Sequence, residues 1–295
     1  MKIFIAGSKG QLGKALLKQQ PPRNMVLTGA DVPVLDITDP LSVERVLAEH
    51  QPAMIINAAA YTDVDRAEDE PRNAFSANRD GPAHLAEYCV NAGIPLIHLS
   101  TDYVFNGSKD RPYRESDPII PLGVYGKSKA EGENEIRTRL TEHVIVRTSW
   151  MYGVDGKNFV KTILRAGREN DTLKIVSDQH GSPTCADDLA KVLITIADRL
   201  VDDDDRRWGT FHYCGLGSTS WFEFAVAIFD YARQFGLPRI PQLLPVKTAE
   251  WPTRAVRPPY SVLNCSLINN IFGITPVPWQ DSLKKTVERL MHAGT

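Results

Sequence analysis

The amino-acid sequence predicts an α/β protein, built on a doubly wound parallel sheet with a smaller C-terminal lobe. Three observations support this prediction. Apolar strand-like segments alternate with helix-like segments in the first half of the 295 residues, three glycines occupy the first strand-to-helix turn, and the alternation loosens after about residue 150. Strand–helix repetition is typical of a parallel sheet covered on both faces. Such sheets bind ligands at the carboxyl ends of their strands, where the strand order reverses.

The elements of the first half follow one another at short intervals. The predicted strands are KIFIA (2–6), NMVLTGAD (24–31), AMIINAAA (53–60), PLIHLST (95–101) and HVIVRTSWMYG (143–153). A helix follows the glycines over 11–20, and a second covers 39–50, with Asp39 in a capping position and Pro40 in the first turn. A long helix is predicted over 71–93, from Pro71 to Gly93. A further helix begins near Tyr125, after an irregular stretch over 106–122.

The pattern beyond residue 150 predicts a second lobe. Helices are expected over 156–170, 185–200, 220–236 and 280–294, with a short strand, GTFHYCG, at 209–215. The Pro-rich segment 238–260 is expected to be a loop that wraps a site. We therefore divide the chain into a sheet domain over 1–150 and a lobe that makes up most of 151–295, interleaved with later strands that return to the sheet.

The composition excludes several classes of protein. A formal net charge of −2 gives no sign of a nucleic-acid binder. No apolar run has the length needed to span a membrane, and the start MKIFIAG resembles a strand more than a signal peptide, so we expect a cytoplasmic protein without a membrane partner. The four cysteines are far apart in sequence and form no CxxC pair, which favours ordinary buried or half-buried thiols over a metal site or a disulfide framework.

The stretch AGSKGQLGKAL is the first motif that predicts chemistry. Gly7, Gly10 and Gly13 lie between a strand and a helix. Glycine permits positive φ and a close approach of the backbone to a ligand, and a helix N-terminus suits a pyrophosphate. The spacing is GxxGxxG, which differs from the commoner GxGxxG fingerprint. A tight turn without a ligand is the alternative, and three glycines in this turn favour the dinucleotide.

The end of the second strand carries acids that suit an adenosine. Asp31 lies about 20 residues beyond the glycines, where a carboxylate accepts hydrogen bonds from ribose hydroxyls. Its charge would favour NADH over NADPH, although a simple turn aspartate fits the sequence equally well. Asp36 and Ile37 are expected near the adenine ring, with Asp36 facing its amino group.

The ends of the third and fourth strands are expected to line the same crevice. In NAAAYTDVD, the small residues leave room for a flat dinucleotide beside Ala59, Ala60 and Thr62, although tight helix–sheet packing is the alternative. In HLSTDYVFNG, the hydroxyls of Ser100 and Thr101 either face the crevice or cap the next turn.

Tyr125 and Lys129 stand four positions apart on a predicted helix and so share a face. A free phenol has a pKa of about 10, which is poorly suited to acid–base work at neutral pH. A neighbouring ammonium and a cationic nicotinamide would lower that pKa. YxxxK alone is common by chance, but here it follows the Ser-Thr strand end in a chain that opens with a glycine-rich turn.

Together these motifs resemble a known family. GxxGxxG at 7–13, NAAA at 57–60, STDYVF at 100–105 and YxxxK at 125–129 are similar to the extended short-chain dehydrogenase/reductases. Within that group the chain resembles the dTDP-4-dehydrorhamnose reductase family over residues 1 to about 265. The stretches that carry this closer resemblance are NAAAYTDVDRAE, STDYVFNG, VYGKSKAEGE, RTSWMYG, DQHGSPT and RPPYSVLN.

The resemblance implies a Rossmann-type NAD(P)-binding domain over 1–150 and a substrate-binding lobe within 151–295. It implies reduction of the C4 ketone of a dTDP-4-keto-6-deoxy sugar by NADH or NADPH, giving dTDP-L-rhamnose for cell-surface polysaccharide. Tyr125 would protonate the C4 oxygen, Lys129 would bind the nicotinamide ribose and lower the tyrosine pKa, and Thr101 would hydrogen-bond the substrate oxygen. The further cofactor contacts implied are Gly10, Gln11, Leu12, Ala60, Tyr61, Thr62 and Leu99. The further substrate contacts implied are Asp102, Trp150 as an apolar wall, and Arg257 at the diphosphate.

One departure from the family concerns a metal. Some members dimerise around Mg²⁺ held by glutamates, one of them just after the third glycine, whereas this chain has Ala15 there in GKALL. Asp187 and Asp188 leave the ligand set incomplete. We therefore expect no metal site, and either a monomer or a homodimer.

Alternative functions stay open at this stage. A sugar-nucleotide 4,6-dehydratase needs an acid and a base beside the threonine, usually Asp-Glu, and this chain has Thr101-Asp102-Tyr103. A 4-epimerase uses the same tyrosine and lysine. A non-catalytic regulatory subunit, of the kind that accompanies methionine adenosyltransferase, would bind a dinucleotide without turnover. The joint presence of Thr101, Tyr125, Lys129 and Trp150 favours the reductase.

Overall fold

The computed structural model describes residues 1–22, 24–202 and 207–293. Its strands are β1 (Lys2–Ala6), β2 (Val26–Ala30), β3 (Met54–Asn57), β4 (Leu96–Thr101), β5 (His143–Thr148), β6 (Met151–Tyr152), β7 (Thr172–Val176), β8 (His180–Gly181), β9 (Thr184–Cys185), β10 (Gly209–His212), β11 (Thr219–Ser220) and β12 (Gln242–Val246). Its α-helices are α1 (Gln11–Leu17), α2 (Pro40–His50), α3 (Val64–Asp69), α4 (Pro71–Phe75), α5 (Gly81–Ala92), α6 (Val124–Arg139), α7 (Phe159–Glu169), α8 (Ala186–Asp202), α9 (Trp221–Gln234), α10 (Ser266–Phe272) and α11 (Trp279–His292).

The main sheet has six strands in the order β10-β5-β4-β3-β1-β2, and every neighbouring pair is parallel. The chain runs outward from β1 to β2 and then continues with β3 on the other side of β1. The strand order therefore reverses between β1 and β3, where Ala6 pairs with Asn57. A crevice is expected outside the carboxyl ends of these two strands. The predicted α/β fold class is confirmed.

Helices cover both faces of the sheet because successive strand residues point to opposite sides. Ile3 and Ile5 of β1 pack in one apolar cluster with α1, α8 and α10. Phe4 and Ala6 pack in a second cluster with α2, α5 and α6. The inner strands β1, β3, β4 and β5 are buried on both faces over most of their length, which explains their near-continuous apolar sequences.

A third apolar cluster lies in the C-terminal lobe, where α7, α9 and α11 pack together with residues of β6 and β7. Five strands of the main sheet precede residue 150, and β10 enters the sheet from residues 209–212. The division of the chain near residue 150 stays a prediction.

Two of the segments that differ from the sequence prediction contain prolines. The helix expected over 71–93 is divided into α4 and α5 by a π-helical turn, Ser76–Asp80. Pro82 has no N–H to bond the carbonyl of Asn78, and so the regular ladder cannot continue there. The Pro-rich segment 238–260 contains β12, which pairs in parallel with β7 although Pro245 lies within it. Among the described residues, β7 and β12 form a two-stranded sheet, so one edge of β12 is unpaired there and a proline is tolerated on it.

The four cysteines are free thiols, three of them buried and one half-buried. Cys214 and Cys265 are distant in sequence but their sulfurs lie 3.6 Å apart. Among the residues described, no helix is long and apolar enough to cross a membrane.

Candidate active site

The glycine-rich turn joins β1 to α1 at the point where the strand order reverses. Gly7 has φ +83°, and a Cβ there would lie 2.5 Å from the backbone nitrogen of Ala59. A Cβ on Gly13 would lie 2.2 Å from the Gly7 carbonyl oxygen. Gly10, the N-cap of α1, is less crowded, since its Cβ would meet only that carbonyl, at 3.3 Å. The absence of side chains at Gly7 and Gly13 therefore allows the turn to pack closely, and Gly10 has the least crowded Cβ position of the three.

A cavity of about 310 Å³ lies beyond this turn. It is lined by Gly7, Gly10, Asp31, Val32, Leu35, Asp36, Ile37, Thr38, Ala58, Ala59, Ala60 and Ala77. The Asp31 carboxylate accepts from the Lys9 amide at 3.0 Å and from the Val32 amide at 2.8 Å. These bonds hold the carboxylate at the cavity rim, at the end of β2, in the position the sequence predicts for a ribose-binding acid.

Asp36 and Ile37 also line this cavity. One oxygen of Asp36 accepts from the amide of Thr38 at 2.9 Å and from its hydroxyl at 2.8 Å. The Ile37 side chain faces Gly81 at the start of α5, where a Cβ would lie 2.6 Å from Ile37 Cδ1. The small residue at 81 leaves room for Ile37, and the role of this pair at an adenine ring stays a prediction.

A second cavity, of about 540 Å³, continues from Gly10 along the carboxyl ends of β3, β4 and β5. It brings together most of the predicted site residues: Gly10, Gln11, Leu12, Ala60, Thr62, Leu99, Thr101, Asp102, Tyr125, Lys129 and Trp150. The two cavities share Gly10, Ala58 and Ala60. Small side chains thus border a continuous crevice from Asp31 to Tyr125.

Tyr125 lies in the first turn of α6, after the N-cap residue Gly123. Glu68 fixes this helix start by accepting from the Val124 amide at 2.8 Å. The half-buried phenol ring packs edge-on against Tyr103, with ring centroids 5.6 Å apart. Burial raises the pKa of Tyr125 to about 12, and a hydrogen bond with Thr101 opposes that rise. The pKa of Tyr125 is therefore raised instead of lowered, and the phenol is protonated at neutral pH.

Thr101 and Asp102 end β4 beside this phenol. The Thr101 hydroxyl donates to Asp102 Oδ1 at 3.1 Å and accepts from the Tyr103 amide at 3.2 Å. Asp102 is buried, and burial raises its pKa to about 6 against the hydrogen bonds from Ser261 and Thr101. A buried carboxyl at this position is therefore partly protonated near neutral pH.

Lys129 is buried one helical turn after Tyr125, with 2% of its surface exposed. Its Nζ donates to the Leu99 carbonyl at 2.6 Å and lies 3.3 Å from His98 Nε2. Burial lowers the pKa of Lys129 to about 8, and the charge of Glu133 on the same helix opposes this. The ammonium is thus held at the cavity floor by the backbone of β4.

Trp150 closes the opposite side of the cavity. Its backbone has φ +47°, a left-handed conformation that is uncommon outside glycine and concentrates at functional sites. The indole stacks on Trp221 with centroids 3.5 Å apart and an interplanar angle of 6°. A Cβ on Gly181 would lie 2.5 Å from the Trp150 ring, so the indole also packs closely against this glycine. Trp150 therefore forms an apolar side of the cavity, and its contact with a sugar stays a prediction.

Three predicted residues do not line either cavity: Gly13, Tyr61 and Arg257. Gly13 packs within the turn, and the Tyr61 hydroxyl donates to Glu70 at 3.1 Å. Arg257 donates to both oxygens of Asp65, at 3.1 and 2.6 Å. Burial acts against its charge, but this pairing raises the pKa of Arg257. Arg257 is therefore ion-paired with Asp65, and a role at a diphosphate stays a prediction.

The crevice also contains residues that sequence reasoning missed. Lys9, Lys157 and Trp221 line the second cavity, and His98 lies beneath Lys129. A histidine inside the apolar run PLIHLST was a readable signal, because a buried polar group needs a partner. No local pattern places Trp221, at the start of α9, against Trp150.

Among the described residues, no group of three or more His, Cys, Asp or Glu side chains is placed to hold a metal. Asp187 is ion-paired with Arg289, and Asp188 accepts from the Ser282 hydroxyl. The carboxylates of Asp187 and Asp188, which the sequence analysis considered as metal ligands, are thus each paired with another residue of the chain.

The crevice fits a dinucleotide on structural grounds. The crevice is bordered by Gly10, by the strand-end carboxylate of Asp31 and by the alanines at 58–60. Lys129 and Tyr125 lie at its far end. Fold and site together define a Rossmann-type protein of the extended short-chain dehydrogenase/reductase class.

Comparison with known proteins narrows this class. Residues 1–292 match the family model described as RmlD substrate binding domain. The chain is 43% identical over 285 residues to dTDP-4-dehydrorhamnose reductase of Aggregatibacter actinomycetemcomitans, which spans 96% of this chain and 97% of that protein. A crystal structure of a dTDP-4-dehydrorhamnose reductase from Clostridium acetobutylicum superposes with TM-score 0.91 at 40% identity, covering 98% of this chain and 99% of the other. The Bacillus anthracis dTDP-4-dehydrorhamnose reductase, crystallised in complex with NADP, gives TM-score 0.88 at 37% identity over 97% of this chain and 98% of the other.

The chain belongs to the dTDP-4-dehydrorhamnose reductase family. The resemblance stated from the sequence motifs is thereby confirmed.

Proposed function

We propose that this protein reduces the C4 ketone of dTDP-4-dehydro-L-rhamnose to dTDP-L-rhamnose with NADH or NADPH, as a step in the synthesis of cell-surface polysaccharide. The observation that carries the proposal is the convergence of Thr101, Tyr125 and Lys129 at one end of a crevice that begins at the glycine-rich turn. A bound nicotinamide would supply the hydride to C4. The residues of the chain supply binding, orientation and the proton.

Tyr125 is the proton donor in this proposal. Hydride addition to a ketone leaves negative charge on the C4 oxygen, which needs a proton. Burial raises the pKa of Tyr125 to about 12, so the phenol holds its proton at neutral pH. It can still donate, because the alkoxide formed at C4 is a stronger base than a phenolate. Thr101, hydrogen-bonded to Asp102, orients the substrate oxygen and the phenol.

The remaining contacts are assigned by their position along the crevice. Asp31, Asp36 and Ile37 bind adenosine, and the Gly10 end of α1 binds the pyrophosphate together with Gln11 and Leu12. Lys129 binds the nicotinamide ribose, where its ammonium is held by the Leu99 carbonyl.

Trp150 forms the apolar wall beside the 6-deoxy sugar, with Asp102 at the sugar hydroxyls. Because each contact belongs to this one chain, the site is compatible with a monomer or a homodimer, which sedimentation would distinguish. A cytoplasmic location is part of the proposal, since reduced nicotinamide dinucleotides and nucleotide sugars are cytoplasmic metabolites.

The test is oxidation of NADH or NADPH, followed by absorbance, with dTDP-4-dehydro-L-rhamnose as substrate and NMR to establish the C4 configuration of the product. Tyr125→Phe should lower turnover by about 100-fold or more, the range of general-acid catalysis, and leave the affinity for NADH nearly unchanged. Tyr88→Phe on α5, outside both cavities, is the matched control. Full activity of the Tyr125 variant would contradict the assignment.

Cofactor binding without turnover in the wild type would favour a regulatory subunit, and interconversion of C4 epimers without net oxidation of the cofactor would favour an epimerase.

A further inference from the structure

A chain of buried polar groups runs beneath the cavity floor, from β3 through β4 to α6. His98 is fully buried in β4 between Asn57 and Lys129. Asn57 Nδ2 lies 3.1 Å from His98 Nδ1, and Lys129 Nζ lies 3.3 Å from His98 Nε2. No step of the proposed reduction uses His98, yet both of its ring nitrogens face polar partners.

The hydrogen bonds of Asn57 determine which ring nitrogen carries the proton. The side-chain amide oxygen of Asn57, Oδ1, accepts a hydrogen bond from the backbone N–H of Ala59 at 3.0 Å. That bond orients the amide so that its NH₂ group faces His98. An NH₂ group only donates, and His98 Nδ1 must therefore accept. In a neutral imidazole the other nitrogen then carries the proton, so His98 has the Nε2–H tautomer.

This tautomer presents a donor to Lys129. An ammonium has no acceptor and would place one donor against another across the 3.3 Å contact. A neutral amine has a lone pair that accepts the His98 proton while it still donates to the Leu99 carbonyl. Protonation of the histidine would not relieve the conflict, because an imidazolium donates from both ring nitrogens. Burial, followed by the charges of Lys129 and His143, also holds the pKa of His98 well below the ordinary value.

We propose that His98, locked as the Nε2–H tautomer by Asn57, is a positioning residue that holds Lys129 at the cavity floor and favours its neutral amine. This inference rests on the proposed reduction, in which Tyr125 must regain the proton that it gives to the C4 oxygen. A lysine that releases a proton readily is suited to supply it, and in doing so Nζ changes from a donor against His98 to an acceptor of its Nε2–H. The proton moves from nitrogen to oxygen, and no electrons are exchanged.

Other charged groups around Lys129 act on the same equilibrium. Glu133, one turn further along α6, favours the ammonium. Its carboxylate is bonded by Arg147 of β5 and by Arg137 of α6, at 2.7 and 2.9 Å. Burial acts in the opposite direction and is the larger influence on the pKa of Lys129.

The tautomer is measured directly by NMR on protein labelled with ¹⁵N-histidine, without substrate. We expect His98 to carry its single proton on Nε2 from about pH 6 to about pH 9, the range around neutrality in which a free histidine titrates and a perturbed lysine would follow. A proton on Nδ1, or an imidazolium within that range, would overturn the proposal. Neither result depends on which sugar the enzyme reduces.

The effect on Lys129 is tested with two variants. His98→Phe removes the opposing donor, and Asn57→Asp moves the ring proton to Nδ1, which leaves Nε2 free to accept from an ammonium. In both, Lys129 should bind its proton about tenfold more tightly or more, seen as a rise in its titration in ¹⁵N-lysine spectra and in the basic limb of the kcat–pH profile.

His143→Gln, at the start of the neighbouring strand β5, is the control and should leave both unchanged. If His98→Phe does not fold, Asn57→Asp and the wild-type tautomer decide the question. Reduced stability or kcat with an unaltered Lys129 titration would assign His98 a structural role only and would refute the inference. If Lys129 titrates as proposed but no dTDP-sugar is reduced, the proposed function fails and the tautomer assignment stands.

Discussion

Replacing Asp102 with asparagine should stabilise the folded protein at neutral pH, although it removes a predicted substrate contact. Burial raises the pKa of Asp102 from its ordinary value of 3.8 to about 6. The folded state therefore holds a proton that the unfolded state releases between these two values. Stability falls as the pH rises through this interval and stays low above it.

The magnitude follows from the size of that rise. One pH unit corresponds to about 1.4 kcal/mol, so the charged Asp102 lowers the free energy of unfolding by up to about 3 kcal/mol at pH 8. The cost should be about half as large near pH 5 and should vanish below the unfolded pKa. Asparagine keeps an acceptor for the Thr101 hydroxyl and carries no charge.

Urea unfolding of wild type and Asp102→Asn at several pH values measures the difference directly. Asp117→Asn is a control of opposite sign. Burial acts to raise the pKa of Asp117, but Arg111 and Lys109 more than offset this and hold it well below the usual range. That variant should be less stable than wild type at neutral pH. An Asp102→Asn protein that is no more stable than wild type at pH 8, or a difference that does not change with pH, would refute the reasoning.

Two further predictions concern the packing of the site. Gly13→Ala should lower the free energy of unfolding by about 1–3 kcal/mol or more, because its Cβ would lie 2.2 Å from the Gly7 carbonyl oxygen in a closely packed turn. In Gly10→Ala the nearest atom would be 3.3 Å away, so thermal stability should be nearly unchanged. This variant should instead weaken NADH binding in a fluorescence titration. Trp221→Ala should raise the KM for the sugar nucleotide about three- to tenfold, with a smaller change in the KM for NADH. The reason is that an aromatic pair contributes about 0.5–1.5 kcal/mol, and Trp221 holds Trp150 in place. Equal increases in both KM values would show that the stack supports the whole fold.

Local patterns were sufficient for the parts of this site that lie close together in sequence. The glycine turn, the strand-end Thr101 and the Tyr125–Lys129 pair depend on the periods of one strand and one helix, and the topology of a parallel sheet then brings them to one edge. The stack of Trp150 on Trp221 and the pairing of Arg257 with Asp65 join distant segments, and no local period encodes them.

The errors in the fold have the same origin. The prolines of 238–260 predicted a loop, since proline cannot donate within a ladder. β12 nevertheless pairs with β7 in a two-stranded sheet of the described residues, where Pro245 is tolerated. Pro82 indicates an interruption of the helix predicted over 71–93. The prediction missed it because the apolar pattern is continuous on both sides of the proline. In both cases the tertiary environment determined what the proline does.

The residue after Asp102 separates ketone reduction from dehydration. A dehydratase needs a base beside the acid, and here that position is Tyr103, whose ring packs edge-on against Tyr125. Burial, followed by the charge of Asp102, raises the pKa of Tyr103 well above its usual value, so it stays protonated at neutral pH. Among the described residues that line this cavity, Asp102 is the only carboxylate, and its own pKa is raised. In the proposed reaction Tyr125 delivers the proton, and the described lining of this cavity contains no glutamate that would remove a proton from a neighbouring carbon. This favours reduction of a single ketone.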